Sequence, residues 1–203
     1  NLTDGDLQKS ILSVADGPAS FNAEGTQRGY RIKSIDPLYI FTAAQISDRF
    51  YQVVDNIIEQ IEQTPDDWVW TYHKSPQGLR KNREQTKQLF CADFELGKDE
   101  GRYEVGELPK LKYGDGEFEL GLSSHFLFLY SDHFDQNFHL ASIREMLRVC
   151  QEVRIFPLLT LMLQRSPHLE FIVEQLEKQG YRWEIHKVGY ELQRGGNEMM
   201  RIY

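Results

Sequence analysis

Ile11-Leu12-Ser13-Val14-Ala15-Asp16-Gly17-Pro18 is a short apolar, partly β-branched run halted by a turn-forming triplet. Such a run reads as a buried strand entering a tight loop, because a strand covered on both faces needs apolar side chains on both. Helix-compatible residues follow over 19–28 and stop at Gly29, and a second apolar strand over 30–35 stops at Asp36-Pro37. Proline has no N–H to give to a ladder, so pairing ends there. Strand, helix and strand within residues 11–36 make a tight βαβ unit, which implies parallel strands and a right-handed crossover.

Downstream, Ile46, Phe50, Val53, Val54, Ile57, Ile58 and Ile61 recur at three- and four-residue spacing, predicting an amphipathic helix over 42–63 capped by Thr42. Residues 64–101 hold Trp68, Trp70 and Tyr72, then a predicted helix over 76–96 carrying Arg80, Lys81, Arg83 and Lys87. This is longer than an ordinary connection and predicts a helical lid or cap inserted at 64–101, after the second strand. Strands are predicted at 103–105, 118–122 and 152–159, helices at 139–149 and at 167–179, the last closed by Gly180. Finally, 181–192 and 199–203 flank Arg194-Gly195-Gly196-Asn197, which reads as a β-hairpin with a glycine turn. The predicted class is α/β in one domain: a three-layer, doubly wound, mostly parallel seven-stranded sheet with a C-terminal antiparallel hairpin.

The chain has 23 basic and 31 acidic residues among 203, a net charge of −8. That balance argues against broad phosphate-backbone binding, which depends on Lys and Arg releasing counterions, so a small-molecule partner is favoured over nucleic acid. Cys91 and Cys150 are far apart and form no Cys-x-x-Cys pair, which suits a reducing, cytoplasmic setting. No apolar run is long enough for a membrane span and no basic-then-apolar leader opens the chain, so no membrane partner is expected. Because the chain opens on Asn1, upstream sequence is left open, as is the oligomeric state.

In their order these elements resemble the class I, seven-stranded S-adenosylmethionine-dependent methyltransferases, over nearly the whole chain from Ile11 onward and outside the inserted segment. The family's Gly-x-Gly-x-Gly-like loop after the first strand corresponds to Ala15-Asp16-Gly17-Pro18-Ala19, which keeps only the middle glycine and has Ser13 where the family carries an acid. Asp36, followed by Pro37, stands where the family places the acid that holds the ribose hydroxyls. Glu107 and Leu108 match the segment bordering adenine, and Ser123, Ser124 and His125 the fourth-strand end beneath the methionine part of the cofactor and facing the substrate. The resemblance implies S-adenosylmethionine as cofactor, S-adenosylhomocysteine as product, and methyl transfer to an acceptor the sequence does not identify.

Methyl transfer from a sulfonium is an in-line displacement that depends on alignment and exclusion of water, so no catalytic triad is required. An oxygen or nitrogen nucleophile still benefits from a base in reach, and His125 is the candidate by position; the competing reading is a histidine that anchors the strand end. The fourth strand lacks the Asn/Asp-Pro-Pro-Tyr/Phe pattern of members that methylate exocyclic amines of bases or glutamine. Asp132, His133, Asp135 and His139 are ligand-type side chains that equally suit a polar loop entering a helix, and no metal is expected. Arg80, Lys81, Arg83 and Lys87 read either as a solvated helix face or as a receiver of an acidic substrate. Trp68, Trp70 and Tyr72 read as packing of the insertion or as a wall for a planar substrate. Two other functions compete: a catalytically degenerate binding or scaffold protein, which the eroded loop permits, and an NAD-dependent oxidoreductase, for which the Gly-x-Gly-x-x-Gly spacing fails.

Overall fold

The computed structural model of the chain describes residues 2–203. In order along it come α1 (Asp4–Leu7), β1 (Ser10–Val14), α2 (Phe21–Gln27), β2 (Arg31–Ile35), α3 (Ala43–Gln63), α4 (Pro76–Asp99), β3 (Tyr103–Glu104), β4 (Phe118–Ser124), α5 (Gln136–Val149), β5 (Cys150–Phe156), α6 (Leu169–Lys178), β6 (Trp183–Lys187) and β7 (Glu198–Ile202). The strands form one sheet in the order β3-β2-β1-β4-β5-β7-β6. β1 to β5 are mutually parallel, and β7 runs antiparallel between β5 and β6. This is the predicted sheet. It also differs from the all-parallel 3-2-1-4-5-6 order of dinucleotide-binding domains, which removes the topological basis for the NAD reading.

The βαβ unit lies where the opening stretch puts it, with β1 and β2 in register from Ser10↔Arg31 to Val14↔Ile35. Ile11, Leu12 and Val14 are all buried because the two faces of β1 pack into different clusters. Leu12 and Val14 join Val153 and Ile155 under Ile143 and Met146 of α5 and Ile172 and Leu176 of α6, while Ile11 meets Ile32 and Leu120 on the other face. Burial of these apolar surfaces, about 25 cal/mol per Å², is the main force holding the layers together.

Between β2 and β3, Phe90 and Phe94 of α4 close on Tyr39 and Tyr103, four rings with centroids 4.7–5.8 Å apart that share a cluster with Ile46. Gly97 lets α4 approach β3 this closely, since a Cβ there would sit 2.5 Å from the Tyr103 ring. Within residues 64–101, α4 packs on α2 and β3, and α3, which precedes this segment, packs on α4. Thr42 caps α3 in a full capping box with Gln45, as its sequence indicates.

The C-terminal hairpin is antiparallel as predicted, but its turn is not four residues. Pairing runs only from Trp183↔Ile202 to Lys187↔Glu198, leaving 188–197 as a long excursion. Leu192 is buried with Val54, Ile58, Ile61 and Leu79, with Tyr190 packed beside it, and the Val69 amide donates to the Leu192 carbonyl at 2.8 Å. The apolar surface offered by α3 and α4 outweighs further ladder pairing, so the excursion is drawn across the sheet end toward them. Among the described residues, no helix is long and apolar enough to cross a membrane.

Candidate active site

The chain leaves β1 in one direction toward β2 and β3 and returns to its other side as β4, so the sheet has its topological switch between β1 and β4, where ligands bind in open α/β sheets. The loop after β1 is shaped by left-handed backbone at Ala15 (φ 55°) and Gly17 (φ 56°). Its backbone is held from three sides. The Ala15 amide donates to the Ile35 carbonyl at 2.9 Å, the Gly17 amide to Asp36 Oδ2 at 2.9 Å, and the Tyr39 hydroxyl to the Gly17 carbonyl at 2.8 Å. Asp36 also caps the short 3₁₀ turn Pro37–Ile40, accepting from the Leu38 amide at 2.7 Å.

Ser13, at the position where an acid was expected, is buried and donates to Asp16 Oδ1 at 2.6 Å, while Ser34 donates to Asp16 Oδ2 at 2.6 Å. A carboxylate is thus restored beneath the loop from three residues downstream. Burial pushes the carboxyls of Asp16 and Asp36 above their usual range, and hydrogen bonds to each oppose the shift.

Ala15, Asp36, Pro37, Glu107, Leu108 and His125 line one cavity of about 620 Å³. Much of its remaining wall is aromatic: Phe126, Tyr130, Phe134 and Phe138, with Phe134 and Phe138 stacked at 4.2 Å. Of the other residues singled out in the sequence, Asp16 and Ser123 lie in the framework beneath, Gly17 is committed to Asp36 and Tyr39, and Ala19 does not border the cavity. Ser124 is exposed and shares a 2.9 Å hydrogen bond with His125 Nδ1. Ser123 Oγ is buried with no hydrogen-bond partner among the described residues. Pro18 faces a second, larger cavity of about 990 Å³ enclosed by α3, α4, the segment after β5 and the 188–197 excursion.

The two cavities share His125 and Tyr130. His125 has left-handed backbone (φ 60°) and its amide donates to the Phe156 carbonyl at 2.6 Å, which holds the backbone that carries the partly solvent-exposed ring to the junction. Desolvation by the surrounding wall, followed by the nearby Arg83 charge, pulls its imidazole down to about 4. It is therefore a neutral ring at physiological pH. Opposite it in the larger cavity, His73 Nε2 and the Tyr190 hydroxyl share a 3.0 Å hydrogen bond. Tyr190 was hidden in a segment whose apolar character predicts strand, and Tyr130 and Phe134 carry no spacing that marks them out.

The sequence's other clusters disperse. Asp135 caps α5, accepting from the Phe138 amide at 2.8 Å, and buried His139 accepts from the Phe128 amide through Nε2 while Nδ1 meets the Asp135 carbonyl at 2.8 Å. His133 instead borders the smaller cavity. Among the described residues, no three such side chains are grouped to hold a metal ion. Arg80 pairs with Asp55 and Glu84, and Trp68 and Trp70 pack against α3.

The sheet order, the reversed β7 and the crevice at the β1–β4 switch define the seven-stranded fold of class I S-adenosylmethionine-dependent methyltransferases. The methyltransferase domain of the bacterial protein CtHen1 has this fold, with TM-score 0.51 and 12% identity over 98% of this chain and 92% of that one. So has magnesium protoporphyrin IX methyltransferase of Synechocystis PCC 6803, solved with bound S-adenosylmethionine: TM-score 0.50 and 12% identity over 98% of this chain and 72% of that one. The chain belongs to the family of the uncharacterised protein MJ0045 of Methanocaldococcus jannaschii, to which it is 33% identical over 203 residues, all of this chain and 89% of that protein. It matches no known family profile.

Proposed function

We propose that the protein binds S-adenosylmethionine in the smaller cavity and methylates a small-molecule acceptor held in the larger one. The observation that carries this reading is the junction: two cavities of suitable size meet at His125 and Tyr130, one of them at the β1–β4 switch. The residues present fit the cofactor. Each Asp36 oxygen accepts one backbone N–H and keeps a second acceptor site, enough for two ribose hydroxyls. Glu107 and Leu108 border the adenine, Pro37 and the aromatic wall exclude water, and the held backbone at Ala15 to Gly17 leaves open space where a Gly17 side chain would project.

When bound, the cofactor supplies a methyl carbon on a good leaving group. The chain's own task is to line up the acceptor across the junction and to keep water out. His125 is neutral there and positioned to take the acceptor's proton, with Ser124 orienting the ring through Nδ1. α3, the 64–75 link and the 188–197 excursion act as the cover over the acceptor.

Calorimetric titration with S-adenosylmethionine, S-adenosylhomocysteine and NAD tests the reading. Micromolar binding of the two sulfur compounds and none of NAD is expected; equal binding of NAD, or binding of none, overturns it. Affinity that persists without turnover of any acceptor favours the alternative of a degenerate binding protein.

A further inference from the structure

Four of the basic residues of α4, Arg80, Lys81, Arg83 and Lys87, differ in how their charge is met. Arg80 is neutralised by Asp55 and Glu84, and Lys81 is exposed to solvent. Lys87 is buried, donates to Ser47 Oγ at 3.0 Å and Tyr51 Oη at 3.3 Å, and lies 4.4 Å from the centre of the Tyr51 ring. Arg83, one turn before Lys87 and on the same helix face, borders the larger cavity, and among the described residues its guanidinium has no carboxylate and no hydrogen-bond partner. Asp67, the carboxylate on that cavity's wall, makes no ion pair with it.

Withdrawing a guanidinium from bulk water without an anion is costly, and a helix face can avoid the cost by pointing the side chain outward, as Lys81 does. Arg83 instead faces a cavity whose wall is largely apolar, including Phe50, Ile57, Trp68, Leu129 and Leu192; Lys87 borders it too, but its ammonium is held by Ser47 and Tyr51. Its planar fork of donors matches the two oxygens of a carboxylate or phosphate. We infer that the larger cavity recognises an acceptor by an oxyanion, a carboxylate or phosphate, seated on Arg83 with its apolar or aromatic body against the α3 wall. This rests on the larger cavity being the acceptor site. Burial is the larger cause of the lowered imidazoles of His125 and His73 and the Arg83 charge the second, so an anion on Arg83 relieves that repulsion and raises both.

The probes are benzoate and phenyl phosphate, with benzyl alcohol as a neutral body of the same kind. Each is titrated by NMR into the intact protein, saturated with S-adenosylhomocysteine and without it, following the His125 and His73 ring signals. At least one anion is expected to bind ten or more times more tightly than the alcohol and to move the His125 titration upward. Arg83→Gln should abolish that preference, Arg83→Lys should keep part of it, and both should hold S-adenosylhomocysteine within about twofold of the parent. Which anion binds more tightly distinguishes carboxylate from phosphate.

Equal affinity for anions and alcohol in the unaltered protein, or a preference that survives Arg83→Gln, overturns the assignment. If the anion preference holds while S-adenosylhomocysteine does not bind, the oxyanion site stands and the methyltransferase reading falls.

Discussion

The Gly17 amide donates to Asp36 Oδ2 across 2.9 Å, joining the loop after β1 to the carboxylate at the end of β2. The same carboxylate caps the 3₁₀ turn through Leu38, so Asp36 holds the loop and, in the proposed function, also presents the ribose acceptors. Asp36→Ala removes a charge-assisted bond and a cap and should cost about 2 kcal/mol of stability and about tenfold or more in S-adenosylhomocysteine affinity. Asp36→Asn retains one acceptor oxygen and should fall between. Urea denaturation and calorimetry on the same samples check both; an Asp36→Ala protein with unchanged affinity contradicts the ribose assignment.

Ala15 occupies left-handed backbone (φ 55°) where the family has glycine. A Cβ in that region is strained by about 1 kcal/mol, part of which glycine's greater freedom in the unfolded chain takes back. Ala15→Gly should therefore raise stability by a few tenths of a kcal/mol in urea denaturation. A loss of stability shows that the alanine methyl contributes packing that offsets its strain.

His139 is buried and accepts the Phe128 amide through Nε2, a bond that protonation destroys. Burial is the largest cause of its lowered pKa, so in the window below the ordinary histidine value the unfolded chain binds the proton more readily than the folded one. Its contribution is present above that value and is lost as pH falls toward the folded pKa. Replacing it by Gln, which also offers an acceptor, should flatten the decline in stability between about pH 7.5 and 5.5, relative to the parent. Comparing the two proteins cancels the opposing effects of Asp16 and Asp36. Parallel pH profiles contradict the assignment.

His125 acts as a neutral base in the proposed reaction. His125→Ala should lower kcat by about 10²- to 10⁴-fold once an acceptor is found, leaving S-adenosylhomocysteine affinity within about twofold. In the parent, kcat/KM should show no His125 ionisation between pH 6 and 8 and should fall only as pH approaches about 4. A break near the ordinary histidine value places the essential group elsewhere.

The fold was legible because its signals are local. Ile11 to Val14 needs apolar side chains on both faces, Asp36-Pro37 ends β2, and Thr42 caps α3 in the sequence as in space. Asp36, Glu107, Leu108 and His125, singled out through the family resemblance, border one cavity because they follow the ends of neighbouring strands. The larger cavity was not legible: its wall joins Arg83, His73 and Tyr190 from segments far apart in sequence. Tyr190 and Leu192 look like strand residues until α3 and α4 supply the apolar surface that draws them away. Arg83 is distinguished from Arg80 only by the absence of a carboxylate neighbour, a property of packing and not of spacing.

The most direct test of the central claim is a crystal structure of the protein grown with S-adenosylhomocysteine. The account predicts its ribose on Asp36, its adenine beside Glu107 and Leu108, and its sulfur directed at the junction held by His125 and Tyr130. Ligand bound in the larger cavity alone, or with its sulfur turned away from His125, would contradict it.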